Sequence, residues 1–203
     1  MIIELNKLNV REIKPDEIEI AAKLLAKAYY DDVFFKWCVP NDGERFEKTK
    51  AYYAIYLKAR GSVAHIAESL EGEIIGATVW LPHDADAQIY DEIEQAVGDD
   101  YLQFREVAKR SHANEPKAVP FYQLVGFGVL KEWQGQKVGQ TLLAYQLDIL
   151  DKMGIPTYLE ASTPYNGGGV YGKFGYKYFG EIMEFADGAN GAKLYPLFRG
   201  AVE

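Results

Sequence analysis

The spacing of apolar positions along the 203-residue chain changes several times, and each change marks an element. Residues 8–14 (Leu-Asn-Val-Arg-Glu-Ile-Lys) alternate, which predicts a first strand. Asp16 and Glu19 have the spacing of a capping box. Ile18, Ala21, Ala22, Leu25 and Ala28 then recur at helical intervals, predicting a helix of about 15 residues. Tyr29 to Pro40 reads as an aromatic loop carrying Tyr30, Phe34, Phe35 and Trp37, and Gly43 to Arg60 as a second helix stopped by Gly61. β-rich runs at 62–69 and 73–81 flank Glu71-Gly72, a hairpin signal. Phe121 to Leu130 is a nearly continuous apolar strand, followed by a helix from Gln136 to Met153 closed by Gly154. Residues 156–161 form another strand, Gly169 to Phe174 a short helix, and 176–185 and 193–198 two closing strands.

Residues 83–119 break this rhythm. They are polar, with Ile89, Ile93, Ala96 and Val97 at helical spacing, an interruption at Gly98, and a resumption from Tyr101 to Arg110. Two short helices inserted between strands are expected. No linker, repeat or low-complexity tract divides the chain, so residues 1–203 read as one domain. The strand–helix–strand unit at 121–161 requires a parallel pair joined by a right-handed crossover, while the hairpins make the sheet mixed.

Composition narrows the function classes. The 22 basic and 30 acidic side chains give a formal charge of -8. That argues against nucleic acid as a partner, which would need a basic footprint, and leaves a cationic acceptor such as an amine open. Cys38 is the single cysteine, so no internal disulfide can form. No apolar run approaches a membrane span. A cytoplasmic protein without a membrane partner is expected.

The most informative stretch follows the strand ending Gly126-Phe127-Gly128-Val129-Leu130. Gln134-Gly135-Gln136-Lys137-Val138-Gly139-Gln140 leads directly into a helix. A strand-to-helix turn with two glycines points backbone N–H groups and the positive helix end outward together, which suits a phosphate. A tight turn using glycine only for its positive φ is the other reading. Rival motifs fail on spacing: Lys131 stands where a dinucleotide fingerprint needs its third glycine, and Gly135 to Gly139 lacks the ending of a P-loop. His65, His83 and His112 are far apart in sequence, so no metal is expected. Neither a Gly-x-Ser-x-Gly elbow nor a histidine beside Cys38 supports a hydrolase.

Val125 to Leu143, with Gln134-Gly135-Gln136-Lys137-Val138-Gly139, resembles the acetyl-CoA motif of the GCN5-related N-acetyltransferases, Gln/Arg-x-x-Gly-x-Gly/Ala. Tyr158-Leu159-Glu160-Ala161-Ser162 followed by Val170-Tyr171-Gly172-Lys173-Phe174-Gly175-Tyr176 resembles the second motif of the same family. The resemblance covers about residues 121–185. Three departures stand out: Lys137 in place of the motif glycine, the insertion at 83–119, and the Gly167-Gly168-Gly169 run before Tyr171.

The resemblance implies an α/β fold with a mixed, mostly antiparallel sheet. Its fourth and fifth strands are parallel and splay apart, and helices cover both faces. It further implies acetyl-CoA as co-substrate, without a metal, and direct transfer of an acetyl group to a primary amine of a small molecule or peptide. The backbone of Phe127, Gly128 and Val129 would bind the pantetheine arm as an added strand. The phosphates would lie against Gln134, Gly135, Gln136, Lys137, Val138, Gly139 and Gln140, with the Lys137 ammonium reaching one of them. Asn166 would also touch the coenzyme. A catalytically silent CoA-binding or sensing domain is the alternative.

Two proton transfers are needed. Keeping a lysine-like amine neutral near pH 7 costs about 4.6 kcal/mol, and a departing thiolate leaves better when protonated. Tyr171 stands at the family's donor position and is the expected general acid; Glu160 is the expected base. Glu68, Asp31 and Asp32 cannot be ranked from sequence. Phe34, Phe35 and Trp37 would border the acceptor pocket or lie in the core. The insertion would cover the acceptor site, pack on the sheet, or form a homodimer surface.

Overall fold

The computed structural model describes residues 8–85, 88–117, 120–164, 169–185 and 191–201. Asn166 and Gly167-Gly168 lie outside the described residues. The chain runs β1 (Asn9–Glu12), α1 (Ile18–Ala28), α2 (Val33–Cys38), α3 (Asp42–Lys58), β2 (Val63–Glu68) and β3 (Ile74–Pro82). Next come α4 (Gln88–Val97), α5 (Tyr101–Asn114), β4 (Tyr122–Val129), α6 (Val138–Lys152) and β5 (Thr157–Ala161). It closes with β6 (Lys177–Tyr178), β7 (Met183–Glu184) and β8 (Lys193–Arg199).

The strands form one mixed sheet in the order β1-β2-β3-β4-β5-β8-β6, with β7 also on β8. The pairings are antiparallel except β4–β5, which is parallel, as the crossover through α6 requires. Alternation along β2 and β3 divides the core. Ala64, Ile66, Ala77 and Val79 point into the cluster built with α1 and α3, whereas Trp80 joins Leu143 and Leu147 of α6 on the opposite face. Helices therefore cover both sides of the sheet.

The β4–β5 pairing is short: Tyr122, Gln123 and Leu124 oppose Thr157, Tyr158 and Leu159, and there it stops. On its other edge β4 carries a bulge at the same place. Leu124 faces Trp80 and Gly126 faces Val79, so Val125 is the extra residue. A bulge bends its strand, and beyond Val125 the edge of β4 leaves β5. The result is an open V between two parallel strands.

Three expectations are corrected. The span from Tyr29 to Pro40 is not all loop: Asp32 accepts from the Phe34 N–H at 2.9 Å and starts the short helix α2. Phe34, Phe35 and Cys38 are buried on its inner side. The Asp16–Glu19 capping box does not form. A 3-10 turn at Pro15–Glu17 precedes α1, the Glu17 carboxylate accepts the Lys14 N–H at 2.9 Å, and α1 begins only at Ile18. The strand expected over 176–185 is split into β6 and β7 on the same edge of β8. Gly180, at φ +70°, makes the break, and a Cβ there would lie 2.7 Å from Asn114 Oδ1 at the end of α5.

The insertion does form two helices. Ile89, Ile93 and Val97 give α4 its buried stripe, which packs against α3, and α5 turns back beside it.

Candidate active site

The turn after β4 is built by its own side chains. Leu130 N–H closes the ladder onto Ile75 O at 3.0 Å, and residues 131–133 make one 3-10 turn. Gln134 Nε2 then donates back to Val129 O at 3.1 Å, and Gln136 Nε2 to Glu132 O at 2.9 Å. The two glutamine side chains thus staple the loop, and Gln136 is absent from the cavity wall that its neighbours line. Gly135 sits at φ +75° and Lys137 at φ +65°. Lys137 is the non-glycine residue with positive φ among those described, at the position where the motif has glycine. It is the N-cap of α6, whose first turn takes no cap from its side chain, so those N–H groups remain available. Gly139 lets the helix close down: a Cβ there would lie 2.6 Å from Phe127 Cζ.

One cavity of about 610 Å³ begins at this turn and reaches the insertion. It passes along the open edge of β4. Because Leu130 N–H points to β3, the antiparallel alternation turns Gly128 toward β3 as well and directs Phe127 and Val129 into the gap. Tyr29 confirms this direction, since Phe127 N–H donates to its hydroxyl at 3.2 Å. Gly128 serves packing instead: a Cβ there would lie 2.9 Å from Ala28 Cβ, so only glycine lets α1 cross β4 so closely.

Tyr171 and Glu160 both line this cavity. The Tyr171 ring lies edge-on to Tyr176 at 5.9 Å and near Phe127 at 6.1 Å. Burial, then the neighbouring phenols Tyr29 and Tyr176, hold its hydroxyl well above the ordinary phenol range, so it keeps its proton. Glu160 projects from β5. Its carboxylate accepts from Ser111 Oγ at 2.7 Å and from Tyr158 Oη at 2.8 Å. Burial pushes its pKa up to about 7, and the two hydrogen bonds oppose the rise.

Among the carboxylates that sequence left unranked, Asp32 reaches the cavity, where its second oxygen accepts from Ser162 Oγ at 2.6 Å. Glu68 instead pairs with Arg11 at 2.5 Å, and Asp31 is exposed beside Lys36. Phe34 and Phe35 belong to the core and the cavity wall at once, while Trp37 packs on Phe185 at 4.5 Å, off the wall. Residues of α4 and α5, among them Ile93, Phe104 and Ser111, complete the far end, so the insertion borders the cavity. Sequence reasoning missed Tyr29, Tyr158 and Ser111. The Asp32-x-Phe34-Phe35 pattern could have revealed the Asp32 cap, but nothing local announces Ser111.

The model of the Acetyltransferase (GNAT) family matches residues 25–176. The chain belongs to the GNAT acetyltransferase family. It is accordingly an acyltransferase. Solved structures share the GNAT fold over nearly the whole length. The histone acetyltransferase HPA2 and related acetyltransferase from Corynebacterium glutamicum superposes with a TM-score of 0.71 at 18% identity, covering 97% of this chain and 98% of its own. Arylalkylamine N-acetyltransferase 2 from Aedes aegypti gives 0.68 at 12% identity, covering 96% and 99%. The Drosophila melanogaster polyamine N-acetyltransferase, which forms N-acetylagmatine, gives 0.61 at 14% identity, covering 95% and 99%. No curated protein matches this GNAT chain in sequence. No helix among the described residues is long and apolar enough to cross a membrane.

Proposed function

We propose that this chain, acting as a single domain, moves the acetyl group of acetyl-CoA directly onto the primary amine of a small molecule or peptide. The observation that carries the reading is that one cavity joins four features. These are an uncapped helix start bearing Lys137, a β4 edge without a strand partner beyond Leu124, a protonated phenol at Tyr171, and a carboxyl at Glu160 with a pKa of about 7.

Acetyl-CoA supplies an acyl group already activated as a thioester. The residues present fit it. The N–H groups of the first turn of α6 and the Lys137 ammonium suit a diphosphate. The Phe127 carbonyl and the Val129 N–H face the gap and suit the amides of a pantetheine arm, since an extended ligand can take the place of a missing strand, while Phe127 N–H and Val129 O are held by Tyr29 and Gln134. Gln134, Gly135, Val138, Gly139 and Gln140 border the same space. Gln136 acts by shaping the turn. Asn166 is retained as a further coenzyme contact.

Glu160 accepts the proton that an incoming ammonium must lose. A carboxyl with a pKa of about 7 is well matched to this at neutral pH. Tyr171 donates its phenolic proton to the sulfur that departs. Both groups would be superfluous in a silent CoA-binding domain. Solved neighbours named for acetylating arylalkylamines and polyamines are consistent with an amine acceptor. Calorimetric titration with acetyl-CoA, followed by thiol release with a panel of amines, tests the reading. Saturable heat and amine-dependent thiol release are expected, and absence of binding heat would overturn it.

A further inference from the structure

We infer that the end of the cavity remote from the phosphate turn is an acceptor subsite for a primary amine with an aromatic body and no carboxylate. This rests on Glu160 being the base of the reaction proposed above. Three observations support it.

The first is the wall. Tyr52 and Tyr56 of α3, Phe104 of α5 and Tyr90 of α4 line the same cavity as Glu160. Tyr52 lies 4.7 Å from Tyr56 and 5.1 Å from Phe104, ring centre to ring centre. The rings pack into one continuous aromatic wall, and the surface it turns to the cavity can take another ring in offset or edge-on contact and attract the ammonium it carries.

The second is charge. The charged side chains on the whole described wall are the carboxylates Asp32, Glu115 and Glu160 and the Lys137 ammonium, with His83 as a further titratable group. Lys137 belongs to the phosphate turn, at the opposite end. An α-carboxylate would therefore enter beside Glu160 and Glu115 with no lysine or arginine on that part of the wall to receive it, Glu115 itself meeting the His112 ring at 3.1 Å. Burial, then Glu115 and Glu160, hold the Tyr90 phenol above its ordinary range.

The third is the origin of the wall. Tyr90, Phe104, Ser111 and Glu115 all come from the insertion at 83–119, the feature by which this chain departs from the compact pattern it resembles. The same segment supplies two of the four rings and one of the carboxylates. An acceptor that needed neither would leave the insertion without a task at the site.

The test uses the full chain with acetyl-CoA and three acceptors: 2-phenylethylamine, phenylalanine and 1,4-diaminobutane. For phenylethylamine, kcat/KM should exceed that for phenylalanine by about a hundredfold or more, the scale of an unscreened like-charge contact in a cleft. It should exceed that for the diamine by about tenfold, the scale of one lost ring contact. Phenylalanine used equally well, or the diamine preferred, would overturn the inference. If acetyl-CoA binds but no amine is turned over, it is the reading of Glu160 that fails. Calorimetry with CoA-saturated protein then still decides the subsite: heat with phenylethylamine and none with phenylalanine supports it, and the reverse overturns it. Glu115→Arg supplies the missing cation. It should narrow the preference for phenylethylamine over phenylalanine by about tenfold or more, and an unchanged ratio in a folded variant counts against the inference. Tyr90→Ala, at a half-exposed ring, should raise KM for phenylethylamine and leave acetyl-CoA affinity unchanged.

Discussion

Ser111 on α5 donates a 2.7 Å hydrogen bond to Glu160 on β5, across 49 positions of sequence. The bond favours the ionised carboxylate and opposes the burial that raises its pKa. Ser111→Ala removes a donor and changes volume little. Losing about 1 kcal/mol of stabilisation of the charged form should move the acid limb of kcat/KM up by about 0.7 pH unit. A pH–rate profile checks it, and an unmoved limb would show that Ser111 does not tune the base.

Glu160 should also make activity and stability diverge. Its pKa is about 7 in the folded chain against an ordinary 4.5, so the native state holds this proton longer than the unfolded chain. The stability it contributes is complete below pH 4.5 and lost as pH rises through 7. Catalysis has the opposite slope, because the base must be ionised. Glu160→Gln should therefore lower kcat by about 10²–10⁴ and abolish the limb near pH 7. At pH 8 it should raise stability by about 1–3 kcal/mol, measurable as a higher Tm than the parent.

Tyr171→Phe deletes the phenolic proton and keeps the ring contacts with Phe127 and Tyr176. Turnover should fall about 10²-fold or more, with acetyl-CoA affinity within threefold of the parent. Undiminished turnover would remove Tyr171 from the mechanism.

At Lys137, strain and charge can be separated. Lys137→Gly relieves the positive φ and should stabilise the fold by about 1 kcal/mol. Lys137→Ala keeps the strained backbone and removes only the ammonium. Both should weaken acetyl-CoA binding and flatten its salt dependence; only the glycine variant should melt higher. If neither changes affinity, the ammonium does not meet a phosphate.

Gly139→Ala places a methyl group 2.6 Å from Phe127 Cζ, so the ring or the helix start must shift. A cost of about 1–3 kcal/mol is expected from overpacking, together with weaker acetyl-CoA binding, read by thermal melting with and without the coenzyme.

What sequence revealed was what local chemistry dictates. The strand–turn–helix from Phe121 to Met153 carries its instructions in adjacent residues: apolar run, glycines, helical period. The positive φ at residue 137 follows from its place in that turn. The six-residue α2 escaped because one and a half turns give too few repeats to show a helical period. The last expected strand is divided at Gly180, beside which the Glu181 N–H donates to Asn114 Oδ1, far earlier in the chain. The bulge at Val125, the Tyr29 bond to Phe127 and the Ser111 bond to Glu160 depend on tertiary register. No spacing rule reaches across 49 or 98 residues.

The brevity of the β4–β5 seam gives the molecule a natural crease. On one side lie β1 to β4 and the turn that bears Lys137; on the other lie β5, β8 and the short strands that follow Tyr171. Within the sheet, three residue pairs join these halves. Whatever fills the opening below the stitch also braces one half against the other, so occupancy and rigidity become a single variable. Slowed amide exchange along β4 and β5 in the occupied protein would register it.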